Sequence, residues 1–234
     1  MNNMKKVFLG VGHGGADSGA VANGLKEKDL NLAIAAACAD ELSRHGVTVK
    51  MSRTKDEEDT LNQEVAECNQ FAPDLAVDIH NNAGGGDGVE CWYSIVGGLS
   101  KTLADNMIRE VVAIGQNSRG AKTRKNAEGR DYYGFIRGTK APAVIVECAF
   151  IDNKKDIAII DTPAEQKKMG VAIAKGILKT LGIAWKAPVA TDNNVGNKIY
   201  RVQVGAFADK TNAEAMVKKL KSAGFDGIIV ASAK

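Results

Sequence analysis

Three histidines and two glutamates set out the chemistry this chain could do. His13 lies in the glycine-rich stretch Gly10-Val11-Gly12-His13-Gly14-Gly15-Ala16-Asp17-Ser18-Gly19, directly after the apolar run Val7-Phe8-Leu9. His80 ends a second apolar run, Leu75-Ala76-Val77-Asp78-Ile79, and is followed by Asn81-Asn82. Glu27 opens an amphipathic stretch just beyond the first loop. Two imidazoles and a carboxylate with a vacant fourth position form a catalytic zinc set, because they leave the ion enough positive charge to acidify bound water. Glu147 sits inside Pro142-Ala143-Val144-Ile145-Val146-Glu147-Cys148-Ala149-Phe150. A carboxylate there is costly unless paired or working. Taken singly, a strand-end histidine is an ordinary hydrogen-bonded residue, and a first-turn glutamate merely suits the helix dipole. The set carries the signal. His45, between Arg44 and Gly46, reads as a helix C-terminal residue rather than a ligand.

A rival reading starts from the same loop. Gly10, Gly12 and Gly15 spell G-x-G-x-x-G after a strand, the dinucleotide fingerprint. That fingerprint needs a helix opening at its last glycine. Here Ala16-Asp17-Ser18-Gly19-Ala20-Val21-Ala22-Asn23-Gly24 follows, with two more glycines, no helical period and a carboxylate where a phosphate should approach. The second strand ends without an acidic ribose ligand, although Arg53 would suit a phosphorylated nucleotide. A lone glycine pattern is weak, and this one is set aside.

The elements that must position these groups alternate. Strands are expected at Lys6–Gly12, Val47–Met51, Leu75–His80, Gly88–Tyr93 and Ala143–Cys148. Helices are expected from Glu27 or Lys28 to His45, where Gly46 stops the turn, from Asp59 to Phe71 and from Leu99 to Ile114. A last core helix has Thr162 and Glu165 as a capping box, Pro163 at its first position and Gly182 as its stop. Alternation implies an α/β fold, a mostly parallel twisted sheet with helices on both faces, whose site lies beyond the carboxyl ends of the strands. His13, His80 and Glu147 all fall there. If Glu147 faces the site, strand alternation turns Cys148 away, which weakens any reading of that thiol as a nucleophile.

At 234 residues the chain accommodates one full α/β domain and something small. Its net charge of +3 is mild, only 5% of its residues are aromatic, and it has no lysine or arginine blocks, which speaks against a nucleic-acid binder. Cys38, Cys68, Cys91 and Cys148 lie far apart with no C-x-x-C, as expected of reduced, buried thiols. The first residues run straight into a strand with no signal-type stretch, so we expect synthesis in the cytoplasm and any action outside it to follow release by lysis. Residues 185–197 read as a linker, and 198–234 as a small β-α-β unit with strands at Lys198–Ala206 and Gly227–Ala231 around a helix at Asn212–Ala223. A unit that short cannot bury much core alone.

Assembled in order, these residues resemble the zinc-dependent N-acetylmuramoyl-L-alanine amidases of the amidase 3 type. The resemblance covers about Lys5 to Leu181, within a domain taken as residues 1–184. It rests on Gly12-His13-Gly14-Gly15-Ala16-Asp17-Ser18-Gly19-Ala20, Gly24-Leu25-Lys26-Glu27-Lys28, Ser52-Arg53-Thr54, Ile79-His80-Asn81-Asn82 and Pro142-Ala143-Val144-Ile145-Val146-Glu147. It implies one zinc ion on His13, Glu27 and His80, with Glu147 as the catalytic carboxylate. It further implies hydrolysis of the amide between N-acetylmuramic acid and L-alanine in peptidoglycan. Asn82 and Arg137 are candidate substrate contacts in loops near the rim. Two departures stand out: Asp78 where the family commonly has Ser, and Cys148-Ala149-Phe150 in place of x-Gly-Phe. The tail, Ile199-Tyr200-Arg201-Val202-Gln203-Val204-Gly205-Ala206-Phe207, is similar to a sporulation-related (SPOR) repeat, which implies peptidoglycan binding. With a single repeat present, we expect two chains to pair theirs. The competing expectation is a non-catalytic wall-binding protein, against which the intact Glu147 argues.

Overall fold

Six strands form the sheet, in the order β4-β1-β5-β8-β6-β7. They are β1 (Lys6–Val11), β4 (Thr48–Met51), β5 (Leu75–Asn82), β6 (Val89–Tyr93), β7 (Ser118–Lys122) and β8 (Ala143–Phe150). Two short strands, β2 (Val21–Ala22) and β3 (Leu25–Lys26), make a separate antiparallel ribbon between β1 and α1 (Glu27–Arg44). The computed structural model describes residues 4–188, 204–225 and 227–230. Pairing is parallel except between β6 and β8, so the sheet is mostly parallel, as the alternation predicts.

Each face is covered because its strand residues alternate. Val7, Leu9, Val11, Val77, Ile79, Val144, Val146 and Cys148 belong to the larger core, under α1, α3 (Leu99–Val112) and α6 (Pro163–Thr180). Phe8, Ala76, Ala143 and Ile145 point to the other face, where Cys68 of α2 (Leu61–Phe71) and Phe135 of α4 (Gly134–Gly138) close a smaller core. Helix α6 lies between α1 and α3 at close range. A β-carbon on Gly170 would meet the Ile34 carbonyl of α1, and one on Gly176 would meet the Met107 backbone of α3. Those glycines cost helix propensity of about 1 kcal/mol each, which the close packing offsets.

Helix ends differ in detail from expectation. Thr162 caps α6 by accepting from Glu165 N, but the Glu165 side chain pairs with Lys168 instead of closing the box. A full capping box stands at Thr60 and Gln63, which starts α2 two residues later than Asp59. Strand β7, α4 and α5 (Lys154–Ile157) have no counterpart in the expected elements.

The chain divides into two compact units, Met1–Ala187 and Pro188–Lys234. Trp185, read from sequence as linker, is part of the first: its indole donates to Glu41 and Lys175 lies over its ring. In the second unit α7 (Lys210–Ser222) is capped by Asp209, and none of its residues is fully buried. The expected strands do not form among the described residues 204–206 and 227–230; residues 198–203 and 231 lie outside them. No described helix is long and apolar enough to cross a membrane.

Candidate metal centre

The face of the sheet under α2 carries the polar groups at its carboxyl edge. Gly10 on β1 and Gly12 just after it follow Phe8 by twos and face the same way, as do Asp78 and His80 on β5 and Glu147 on β8. A β-carbon on Gly12 would fall on the His80 ring, and one on Gly10 would strike the carboxylates of Glu64 and Asp78. Gly10 and Gly12 therefore leave space for the β5 side chains Asp78 and His80 and for Glu64 of α2. Beyond Gly12 the chain turns through His13 at φ 62° and Gly14 at φ 152°. His13 accepts this left-handed backbone, a strain that collects at functional sites. The loop is held from inside by Arg53, 2% exposed, which donates to the carbonyls of Val11, Gly12, Lys28 and Lys55. The guanidinium considered above for a nucleotide phosphate is a scaffold for the loop.

Three side chains converge at this edge. His13 Nε2 lies 3.2 Å from Glu27 Oε1, and His80 Nδ1 lies 3.0 Å from the same oxygen. One donor atom from each of His13, Glu27 and His80 falls within 4.8 Å of the others. Glu27 is the first residue of α1 and is buried there, its second oxygen taking the Ala20 amide at 2.9 Å. Each imidazole is backed on its far side by a carboxylate. His13 Nδ1 is 2.8 Å from Asp17 Oδ2, and His80 Nε2 is 3.2 Å from Asp78 Oδ2. Such backing fixes the tautomer that turns a lone pair inward, and it accompanies metal-ligating histidines. The donor set, its spacing and its backing fit a divalent ion.

Electrostatics agree. Hydrogen bonding to Glu27, and next to Asp17, raises the His13 imidazole above its usual value. Burial pulls His80 down, but the charge and hydrogen bond of Asp78 and the hydrogen bond of Glu27 outweigh it and hold it well above. Burial would lift Glu27, yet the bonds from His13 and His80 hold it far below the carboxylate range. These shifts favour positive charge at the two rings and negative charge on Glu27.

Glu147 stands beside His80 in the parallel register of β5 and β8, strands about 5 Å apart. Its Oε2 is buried with no hydrogen-bond partner. Burial first, then the charges of Glu27, Asp78 and Glu90 against that of His80, pushes its carboxyl up to about 7. Cys148 points into the opposite core, where burial raises its thiol well above the usual range. All four cysteines are free and buried. Asn82 donates to Glu90 Oε1 at 3.2 Å on the same edge, while Arg137 Nη1 donates to the Asp131 and Tyr132 carbonyls at 2.7 Å. His45 is used in structure, between the Glu41 carbonyl and the Lys186 amide.

Two supporting groups were missed from sequence. Asp17 sits four residues after His13, a spacing that was available to read. Glu64 is buried on α2 against Asp78, with Oε1 unpartnered, and burial followed by the Asp78 charge raises its carboxyl well above 4.5. A folded value above the unfolded one means that its stabilising contribution is complete below about 4.5 and is lost as pH rises. Glu64→Gln cannot ionise and offers Asp78 a donor. It should therefore raise the melting temperature at pH 8 by a few degrees, about 1–3 kcal/mol. The gain should shrink toward pH 5, and an equal or inverted gain would contradict this account.

An α/β sheet whose carboxyl edge gathers two imidazoles and a carboxylate that fit a divalent ion, with a buried acid beside them, suits a hydrolase class of site. Residues 7–179 match the N-acetylmuramoyl-L-alanine amidase family, and residues 173–231 match the SPOR domain. The N-acetylmuramoyl-L-alanine amidase CwlM of Bacillus licheniformis is 34% identical over 97% of this chain and 85% of its own length. The endolysin of Bacillus phage SPP1 is also 34% identical, over 93% of this chain and 85% of its own. The catalytic domain of CwlV, an N-acetylmuramoyl-L-alanine amidase from Bacillus (Paenibacillus) polymyxa, superposes with a TM-score of 0.69. It is 30% identical over 77% of this chain and all of that domain. The chain belongs to the N-acetylmuramoyl-L-alanine amidase family, and its reaction is the hydrolysis of peptidoglycan.

Proposed function

We propose that the chain cleaves the amide between the lactyl group of N-acetylmuramic acid and L-alanine with one zinc ion held by His13, Glu27 and His80. The convergence of both imidazoles on Glu27 Oε1, with a carboxylate behind each ring, carries this reading. Zinc in such a set supplies Lewis acidity toward a carbonyl oxygen and a water. The protein groups do the rest. Asp17 and Asp78 hold the rings in the required tautomers, and Arg53 keeps the His13 loop from collapsing into the cup. Glu147, raised by burial, takes a proton from the attacking water and returns one to the leaving amine. Digestion of purified walls should release new N-terminal alanine without new reducing sugar ends. New reducing ends would mean glycosidic cleavage, and no clearing of the wall would favour the wall-binding alternative.

The second unit binds the glycan wall as a SPOR-type repeat paired between two chains. Phe207, Phe225 and Ile228 are exposed, and α7 turns Ala213, Met216, Val217 and Leu220 to one half-covered side. A second copy would cover this apolar stripe. Light scattering at high micromolar concentration should give twice the chain mass, and a strict monomer would refute the pairing. Work in wall lysis, at phage release or in clearing a mother cell, fits a chain similar to a phage endolysin and carrying a SPOR match.

A further inference from the structure

Across the sheet the row of the cup continues into charged groups that the reaction above does not use. His80 on β5 pairs in register with Glu147 on β8, Glu147 with Glu90 on β6, and Glu90 with Gly120 on β7. Paired residues face the same way, so Glu90 continues the catalytic row. It is 4% exposed, and its Oε2 accepts from both Arg119 Nε at 2.7 Å and Lys122 Nζ at 2.6 Å. Its Oε1 takes the Asn82 amide. One carboxylate between two cations leaves a positive charge in excess at the rim.

The two cations are set in place yet reachable. Arg119 lies over the Phe150 ring at 4.9 Å, and Lys122 over Trp92 at 5.6 Å. Their side chains are 37% and 31% exposed. Arg119 uses only Nε, so Nη1 and Nη2 have no hydrogen-bond partner among the described residues. Between them Gly120 leaves open space where a side chain would stand. A guanidinium edge fixed by its own Nε suits a planar anion, because the ordering cost is met before the ligand arrives.

Resting on the amidase reading, we propose that Arg119 and Lys122 form an anion subsite that takes a carboxylate of the stem peptide, two or three residues beyond the scissile amide. Distance sets that register. From β8 to β7 is two strand spacings, about 10 Å, and two to three extended residues span about 7–10 Å. The enzyme therefore distinguishes stems with free carboxylates from stems in which those groups are amidated.

The test uses the full zinc-loaded chain and two soluble muramoyl peptides that differ only in whether the stem carboxylates are free or amidated. The wild type should favour the free acid by about tenfold in kcat/KM, chiefly through KM, and the preference should fall as salt is raised. Lys122→Met and Arg119→Gln should each bring the ratio close to one. Calorimetric binding of both peptides to zinc-loaded Glu147→Gln provides a second readout that needs no turnover. Equal use and equal binding of the two peptides by the parent proteins would overturn the subsite. So would a preference that survives both substitutions. Failure to cleave either peptide counts against the amidase reading, and the binding comparison then still decides the subsite.

Discussion

Glu147→Gln should retain one zinc per chain and lose about 10²–10⁴-fold in kcat, the usual contribution of a positioned general acid–base. The amide keeps the shape of the side chain on β8, beside His80, and removes only the proton-carrying function. In the wild type a carboxyl lifted to about 7 by burial must be ionised to accept a proton, so kcat/KM should fall as pH drops through and below that value. A bound dication favours the ionised form and can only move this limb to lower pH. Metal content, circular dichroism and turnover on the same preparation check the prediction. Half or more of the activity left in a zinc-replete variant would remove Glu147 from the mechanism.

Chelation should abolish wall lysis, and zinc should restore it. The geometry adds a proton count to this expectation. Without metal, facing carboxylates raise both His13 and His80 above their ordinary 6.5, which favours protons on the two rings in competition with the ion. Zinc must displace those protons. Its apparent affinity should rise with pH until both imidazoles are neutral, with up to two protons released per ion. Titration in buffers of different ionisation enthalpy reads that number directly. Zinc at about 100 times its dissociation constant should also add about 2.7 kcal/mol of stability. Lysis unaffected by chelation would refute the metal centre.

Much of the fold and of the candidate site was legible because the candidate residues interrupt apolar runs. His80 and Glu147 stand out in their strands, and His13 closes another at a glycine loop. The parallel neighbours β1 and β5 were readable from alternation of strand and helix. What escaped was whatever lacks a periodic signal. Strand β7, Ser118-Arg119-Gly120-Ala121-Lys122, is a polar edge with no alternation of apolar residues, yet it carries the cations beside Glu90. Glu64 lies next to Gln63 and reads as a solvated helix carboxylate. Only packing shows it turned inward with Cys68, toward Asp78. The reversed direction of β6 depends on tertiary pairing with β8, which no local pattern encodes. Arg53, mentioned only within the nucleotide reading that was set aside, is a buried guanidinium that donates to carbonyls, a scaffold role that no local pattern marks.

The strand order has a bearing on when the cup can exist. His13 and Glu27 come from neighbouring stretches of chain, but His80 reaches them only after β5 docks on β1, and Glu147 only after β8 docks on β5. Both dockings join distant segments and fall among the slow, non-local events of folding. During synthesis the first 70 or so residues therefore hold half a cup and no acid, and the nascent chain is chemically mute. A metal that recognises only the finished edge cannot nucleate the fold. Bound there, an ion would act on the rate of escape from the native state and leave the rate of arrival alone.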